Sequence, residues 1–481
     1  MMESHVRILK FGGTSLGSGE RIRRVAHIIA NAANEVAEAF PVIVVSAMSG
    51  VTDQLVRIAR HANAGELEDC ERELAALKHK HLEAASKAVS DHERCATLRR
   101  DLEVALNALE EDVAECGPYR DTIAAWGERL SVLLCAAAVC DLGVLAAPVR
   151  EEVIVTGEPH SGAALVVGAV AGAEPLSEET RARAQSLLHP LIERHIVPIA
   201  PGFIGRTSSG TVTTLGRNGS DYSATVIGAA LDCVEVSIYT DVDGVMTADP
   251  RLVTNARLLP RLSYTEAARL SWFGAKVLHP RTLIPVAQRN IPVRVRNTFR
   301  PHIYGTVIGP AGKQRSGATA ITVRRHLALI TVESTDMFGA PENAGQVFAL
   351  ADRAGAAPVA ICSSSGHHLS FIVEEQAAAS VVALLQHDLD NWRVGCQGKL
   401  AACACIGSGF TADPMSSARA IIALARERIP VITQGASDQS ITLIVEDRDS
   451  ERALRCLHRD LIAPVIPLMR HHAQEKRREA R

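Results

Sequence analysis

The chain has 481 residues, a formal net charge of −3 and 22% charged residues. That length exceeds one hydrophobic core and calls for about two to four domains, and the near-neutral balance excludes a polyanion such as nucleic acid, or general membrane adsorption, as the main partner. Eleven cysteines, an odd number without a Cys-x-x-Cys pair, fit a reducing cytoplasm better than a disulfide framework.

The chain opens on a short apolar run, Val6 to Phe11, interrupted by Arg7 and Lys10, which argues for a strand rather than a secretory leader. Lys10 then meets Gly12 and Gly13. A lysine beside two glycines supplies a charge and backbone N–H groups that an anion can approach, and a helix starting near Ser18 would add its unsatisfied N–H groups. Further strand-like runs follow at Val42 to Ser46, Val144 to Ala147, Ile196 to Pro201 and Val236 to Thr240. Short buried strands separated by longer helical patterns predict an α/β fold, a three-layer α/β/α sandwich around a largely parallel sheet.

Between Gly65 and Asp112 the pattern is helical and charged, a helical excursion from the sheet, with His79 and His81 expected on a solvated face. Leu130 to Val149 contains Asp141 and Gly143, so it reads as a buried helix followed by a strand. After Gly305 a weak repeat appears at an offset of roughly seventy residues. Leu327 to Glu333, Ala344 to Gly355, Val359 to Ser363 and His368 to Glu374 recur as Leu400 to Gly407, Met415 to Arg428, Val431 to Gly435 and Ser440 to Glu446. Each copy reads β-α-β-β-α-β, a ferredoxin-like α+β pattern. Cys403 and Cys405 are expected on one side of one strand, and the basic stretch from Arg470 to Arg481 as a solvated end.

Four more polar clusters fall at strand ends, where open α/β sheets place ligands. These are Val45 to Thr52, Gly127-Glu128-Arg129, Gly216 to Asp221, and Tyr239 to Gly244 with Asp249-Pro250-Arg251 after it. Together they suit phosphoryl transfer, in which a lysine and glycine-backed amides cradle the transferred group, carboxylates act on Mg2+ or orient the cation, and arginine grips an anionic acceptor. No Walker A sequence occurs, and the one His-Arg-Asp, at 458–460, has Val465 where the protein-kinase catalytic loop carries its asparagine, so neither motif is complete.

The segments Lys10-Phe-Gly-Gly-Thr-Ser15, Gly216-Arg-Asn-Gly-Ser-Asp-Tyr222, Thr240-Asp-Val-Asp-Gly244 and Phe273-Gly-Ala-Lys-Val-Leu-His-Pro-Arg-Thr282 resemble, in this order, the motifs of the aspartokinases within the amino-acid kinase superfamily. The repeat resembles their tandem ACT regulatory domains, so the likeness covers nearly the whole chain. Its wording most resembles the kinase part of bifunctional aspartokinase-homoserine dehydrogenases, with no dehydrogenase half expected. The resemblance implies a catalytic domain over 1–305, ACT domains over 320–395 and 396–465, and a basic tail over 466–481. It implies ATP- and Mg2+-dependent phosphorylation of the β-carboxylate of L-aspartate in the cytoplasm, in a homo-oligomer joined through ACT domains.

By matching position, Lys10 would stabilise the transferring phosphoryl group and Asp221 would orient the catalytic cation. Arg217 would hold the substrate α-carboxylate and Glu128 its α-ammonium, with Ser46 and Thr52 helping to fix it. Gly12, Gly13, Thr240, Asp241, Arg251, Lys276 and Val277 would line the nucleotide site, where Met246 replaces a frequent tyrosine. An effector such as threonine or lysine would meet Gln434 and Ser437 in the second copy, and Cys362 and Ser363 in the first, where Cys362 replaces a glutamine. Two other readings remain at this stage: a kinase of another acidic amino acid such as N-acetylglutamate, and an inert ACT sensor.

Overall fold

The computed structural model describes residues 6–35, 39–115, 120–158, 172–216, 218–275, 278–311, 316–334, 340–365, 367–389 and 392–462. The chain forms two compact units. The first holds Met1–Val245, Leu258–Ser271 and Lys276–Gly312; the second holds Met246–Arg257, Trp272–Ala275 and Lys313–Arg481.

In chain order the first unit contains β1 (Val6–Phe11), α1 (Gly19–Asn34), β2 (Phe40–Val45), α2 (Val51–Ala64), α3 (Leu67–Ala88), α4 (His92–Ala114), α5 (Arg120–Asp141) and β3 (Ala146–Pro148). It continues with β4 (Val155–Thr156), α6 (Ser177–Glu193), β5 (Val197–Pro201), β6 (Ile204–Thr207), β7 (Val212–Thr214), α7 (Gly219–Ala230) and β8 (Glu235–Thr240). Then come β9 (Arg261–Ser263), α8 (Tyr264–Trp272, whose last residue belongs to the second unit), α9 (Pro280–Ala287), β10 (Val293–Asn297) and β11 (Thr306–Gly309).

The main sheet runs β3-β5-β2-β1-β8-β10-β11-β9, parallel at every pairing except β10 with β11. Its central strands are apolar on both faces because both are covered, as in β2, where Pro41 to Val45 are all buried. Leu9, Phe11, Ile43 and Val45 join Val25, Ile29, Leu77 and Leu130 in one core between sheet and helices. The expected buried helix is α5, mostly packed inside the protein although long and apolar enough to pass for a membrane span. β4, β6 and β7 form a second small sheet.

Ser18 caps α1, its hydroxyl accepting from Arg21 N–H. The next residue, Gly19, lies so close to α3 that a Cβ there would overlap Ala84 O and stand 2.6 Å from Lys87 Cβ. Gly19→Ala should therefore cost about 1–3 kcal/mol of stability through overpacking, read as a lower melting temperature; an unchanged midpoint would show that α1 and α3 can separate freely.

The helical excursion is present as α3 and α4, with one correction. His81 is fully buried, not solvated: its Nδ1–H donates to Leu77 O at 2.8 Å, and burial lowers its pKa to about 4. Its neighbour Lys80 reaches across to Ser49 O at 2.6 Å. The alternation of charge along the helix hid the inward face on which His81 falls.

The second unit contains β12 (Gly317–Ser334), α10 (Ala340–Arg353), β13 (Ala360–Ser364), β14 (His368–Glu374), α11 (Glu375–Asp388), β15 (Trp392–Ser408), α12 (Pro414–Arg426), β16 (Thr433–Ser437), β17 (Ser440–Glu446) and α13 (Ser450–Leu461). Its sheet is antiparallel throughout, in the order β13-β14-β12-β15-β17-β16. β12 and β15 lie along each other from Gly317 opposite Ser408 to Ser334 opposite Trp392.

The repeat is visible, with a change in its last element. The first copy is completed by the start of β15, giving β-α-β-β-α-β. The second copy takes its fourth strand from the start of β12, whose residues Gly317 to Arg324 pair with Ala402 to Ser408. The expected boundary at 395/396 thus falls inside one continuous strand. Each half has its own core: Ile330, Val347, Phe371 and Leu385 in one, and Ile321, Leu424, Leu443 and Leu454 in the other. Cys403 and Cys405 both enter the latter core, on the shared side expected from their spacing.

Candidate active site

Four neighbouring parallel strands, β5, β2, β1 and β8, deliver their carboxyl ends to one place. The loops there are tied by backbone bonds: Ser46 N–H to Phe11 O (3.1 Å), Gly202 N–H to Val45 O (2.8 Å) and Gly12 N–H to Tyr239 O (3.4 Å). A cavity of about 380 Å³ opens among them, lined by Lys10, Ser46, Thr52, Glu128 and Asp221 of the expected residues. Phe203, Asp53 and the backbone around Gly219 complete the wall.

Lys10 is the penultimate residue of β1 and only 7% exposed. Its Nζ lies 2.5 Å from Asp221 Oδ1, and Asp221 sits in the first turn of α7. A buried ion pair of this kind needs further partners to offset desolvation. It therefore presents a fixed ammonium at the cavity while the carboxylate prevents it from swinging away. Asn218 precedes α7 in a left-handed conformation (φ 58°), and Ser220 on the same turn donates its hydroxyl to Ser46 Oγ at 3.1 Å.

Glu128 comes from the interior of α5 and is 1% exposed. Gly127 makes this possible, because a Cβ there would stand 2.7 Å from Ala47 Cβ. With the helix so close, Glu128 Oε1 accepts from Ala47 N–H at 2.9 Å, while Oε2 is buried without a hydrogen-bond partner. Burial pushes the carboxyl up to about 8, against the opposing pull of the Ala47 and Glu128 N–H groups, the Ser46 hydroxyl and the Lys10 charge. The cavity thus holds a buried Lys10–Asp221 ion pair and a buried acid, Glu128, with one oxygen that has no hydrogen-bond partner, groups suited to a ligand that brings a cationic donor.

Gly12 and Gly13 lead from β1 into a short 3-10 turn, Gly13–Leu16. A Cβ on Gly12 would stand 3.3 Å from Lys10 Nζ, and one on Gly13 3.0 Å from Ala47 O. Thr240 ends β8 and donates to the exposed Asp241 carboxylate at 3.2 Å. Sequence reasoning missed the supports of this loop. Asn297 donates to Asp243 Oδ1 at 2.7 Å, and Thr298 shares a buried 2.6 Å hydroxyl bond with Ser15. No local signal marks them, since their partners are over fifty residues away. Phe203 was missed as well, no motif surrounding it; it holds φ 62° and hands its N–H to Ser223 Oγ, twenty residues on.

Met246 and Arg251 belong to the second unit, where Arg251 is exposed and paired with Asp249 at 2.6 Å. Arg217, Lys276 and Val277 lie outside the described residues, as does the side chain of Ser363. Within the second unit, Cys362 on β13 and Thr433 on β16 approach: burial raises the Cys362 thiol pKa and the Thr433 hydroxyl opposes the rise. Gln434 is exposed on β16, and Ser437 shares a 3.1 Å bond with Ser440.

Comparison with known proteins identifies the family and the fold. The model of the amino acid kinase family matches residues 5–297, and that of an ACT domain matches residues 404–461. Bifunctional aspartokinase/homoserine dehydrogenase 2 of Zea mays is 34% identical over 480 residues, covering 93% of this chain and 50% of the relative. Aspartokinase 1 of Arabidopsis thaliana is 31% identical over 471 residues, covering 94% of this chain and 79% of the relative. The chain spans about half the length of the bifunctional relatives it matches. Among solved structures, E. coli aspartokinase III in complex with aspartate and ADP is similar with a TM-score of 0.76 and 28% identity, over 95% of this chain and 100% of the other. With a parallel sheet gathering Lys10, Asp221 and Glu128 at its carboxyl edge and a duplicated ACT-type sheet following it, the chain belongs to the amino acid kinase family, among its aspartokinases.

Proposed function

We propose that this chain transfers the γ-phosphoryl group of ATP to the β-carboxylate of L-aspartate, giving 4-phospho-L-aspartate. The observation that carries this reading is Glu128, a buried carboxyl whose Oε2 lacks a partner beside the Lys10–Asp221 pair. An α-ammonium group supplies the missing counter-charge, whereas an acylated amine would not, which disfavours the N-acetylglutamate alternative. The similarity to a kinase described with aspartate and ADP supports the same substrate pair.

In this reading Lys10 neutralises the transferring phosphoryl group and Asp221 orients its ammonium. Ser46 and Thr52 fix the substrate, and Arg217 takes its α-carboxylate. Gly12, Gly13, Thr240, Asp241, Met246, Arg251, Lys276 and Val277 serve the nucleotide, which brings Mg2+ as its counter-ion. That ion screens the phosphate charge. The cavity fits because its charged groups are fixed in advance, as phosphoryl transfer requires. The second unit would bind an amino-acid effector, threonine or lysine, around Cys362, Ser363, Gln434 and Ser437, in a cytoplasmic homo-oligomer.

Incubating the purified chain with L-aspartate, ATP and Mg2+ should produce an acyl phosphate that hydroxylamine traps as the β-hydroxamate. Trapping with N-acetylglutamate and not with aspartate would replace the substrate assignment, and no trapped product with either would defeat the kinase reading.

A further inference from the structure

The segment Met246–Arg257 belongs to the second unit, whereas the residues on either side of it, Val245 and Leu258, belong to the first. Val245 and Leu259, on either side of it, are joined by a 2.8 Å backbone bond, and Val245 N–H donates to Thr306 Oγ1 at 2.8 Å. Within the segment, Ala248 and Val253 are buried in the same core as Ile321, Leu454 and Leu457. This short stretch is thus folded by the repeat unit although the chain on both sides of it is not.

One residue is the staple. Thr247 is 4% exposed, and its backbone and side-chain polar atoms are all engaged. Its N–H donates to Arg257 O (2.8 Å), its carbonyl accepts from Ile321 N–H (2.8 Å), and its hydroxyl oxygen accepts from Arg257 N–H (3.0 Å). The same hydroxyl shares a 2.9 Å bond with Nε2 of His458, which is 3% exposed on α13. Met246 precedes this staple directly and Arg251 follows four residues later.

We propose that His458 is a positioning residue for nucleotide binding: through Thr247 it makes the last described helix of the ACT-type unit set the conformation of Met246–Arg257. The proposal rests on the assignment of Met246 and Arg251 to the nucleotide site. Its physical basis is that a buried hydroxyl held between the Arg257 N–H and the His458 imidazole has one arrangement, so loss of the imidazole frees the turn on which those two residues sit. Coupling between a regulatory helix and a ligand segment then needs no contact between effector and nucleotide.

The test uses the full chain and three variants, His458→Phe, His458→Gln and Thr247→Val, with Mg-ADP binding followed by calorimetry and melting temperature measured alongside. His458→Phe and Thr247→Val should raise the Kd for Mg-ADP roughly fivefold or more, with the KM for ATP rising in step and the KM for aspartate unmoved. His458→Gln, whose amide reaches the place of Nε2, should restore most of the affinity. Unchanged Mg-ADP affinity in both damaged variants, even with a lower melting temperature, would overturn the positioning role, as would a glutamine variant as impaired as the phenylalanine one. A wild-type chain that binds no Mg-ADP would overturn the nucleotide assignment itself, an outcome separate from either of these.

Discussion

Lys10→Ala should lower acyl phosphate formation by roughly 10²- to 10³-fold, the usual loss when one preorganised donor to a developing charge is removed. The effect should fall on kcat if, as proposed, Lys10 acts on the transferring group rather than on aspartate. Lys10 and Asp221 are 9% and 17% exposed at their side chains and lie 2.5 Å apart. The alanine variant therefore leaves a carboxylate without its cation and loses some stability as well. Circular dichroism and a melting curve separate the two effects, and adding Asp221→Asn to Lys10→Ala should recover stability without recovering turnover. Near-normal turnover in Lys10→Ala would remove Lys10 from the transfer step.

The second large effect is expected at Glu128. Glu128→Gln keeps the shape and the bond from Ala47 N–H but cannot ionise, so the KM for aspartate should rise about 10- to 100-fold, the scale of a lost charge-assisted bond in a buried site. The wild-type enzyme should also show a pH signature. Its Glu128 carboxyl titrates near 8 when the cavity is empty, so below that pH it carries a proton that an incoming ammonium must displace. Aspartate binding then releases a proton and tightens as pH rises from about 6 to 8, by up to tenfold per unit. The glutamine variant should lose that slope, and a slope that persists would assign the proton to another group.

Stability without ligand should run the other way. A carboxyl with a folded pKa raised from 4.5 to about 8 contributes stability that is complete below 4.5 and is lost as pH climbs to 8. Glu128→Gln should accordingly become the more heat-resistant protein across that interval.

Much of the first unit was legible residue by residue. β1 runs from Val6 to Phe11, as its apolar run indicates, and Ser18 caps the helix expected near it. The strands of the second unit from His368 to Glu374 and Ser440 to Glu446 also match, because each is a short, mostly apolar run ended by a glutamate and buried over five or six consecutive residues. β4, β6 and β7 were not anticipated, since two to four residues carry too little pattern to separate a strand from a turn. In the site, Lys10, Glu128 and Asp221 stood out through the motifs around them, whereas Phe203, Asn297 and Thr298 have no motif.

What the sequence determined by itself is the local chemistry: a lysine leaving a strand into two glycines, a serine cap, a buried apolar helix, and a duplicated strand-helix pattern. Each of these is decided by neighbours within a few residues, through propensity, capping and periodicity. Only the tertiary structure decided that Glu128 loses its water and keeps one oxygen unpaired, that His81 turns inward, and that the second repeat takes its last strand from β12. It also decided that Thr247 folds with His458, more than two hundred residues away in the chain. Burial, strand pairing across a sheet and the desolvation of a charge depend on which distant surfaces close over a residue, and no local pattern of side chains records that.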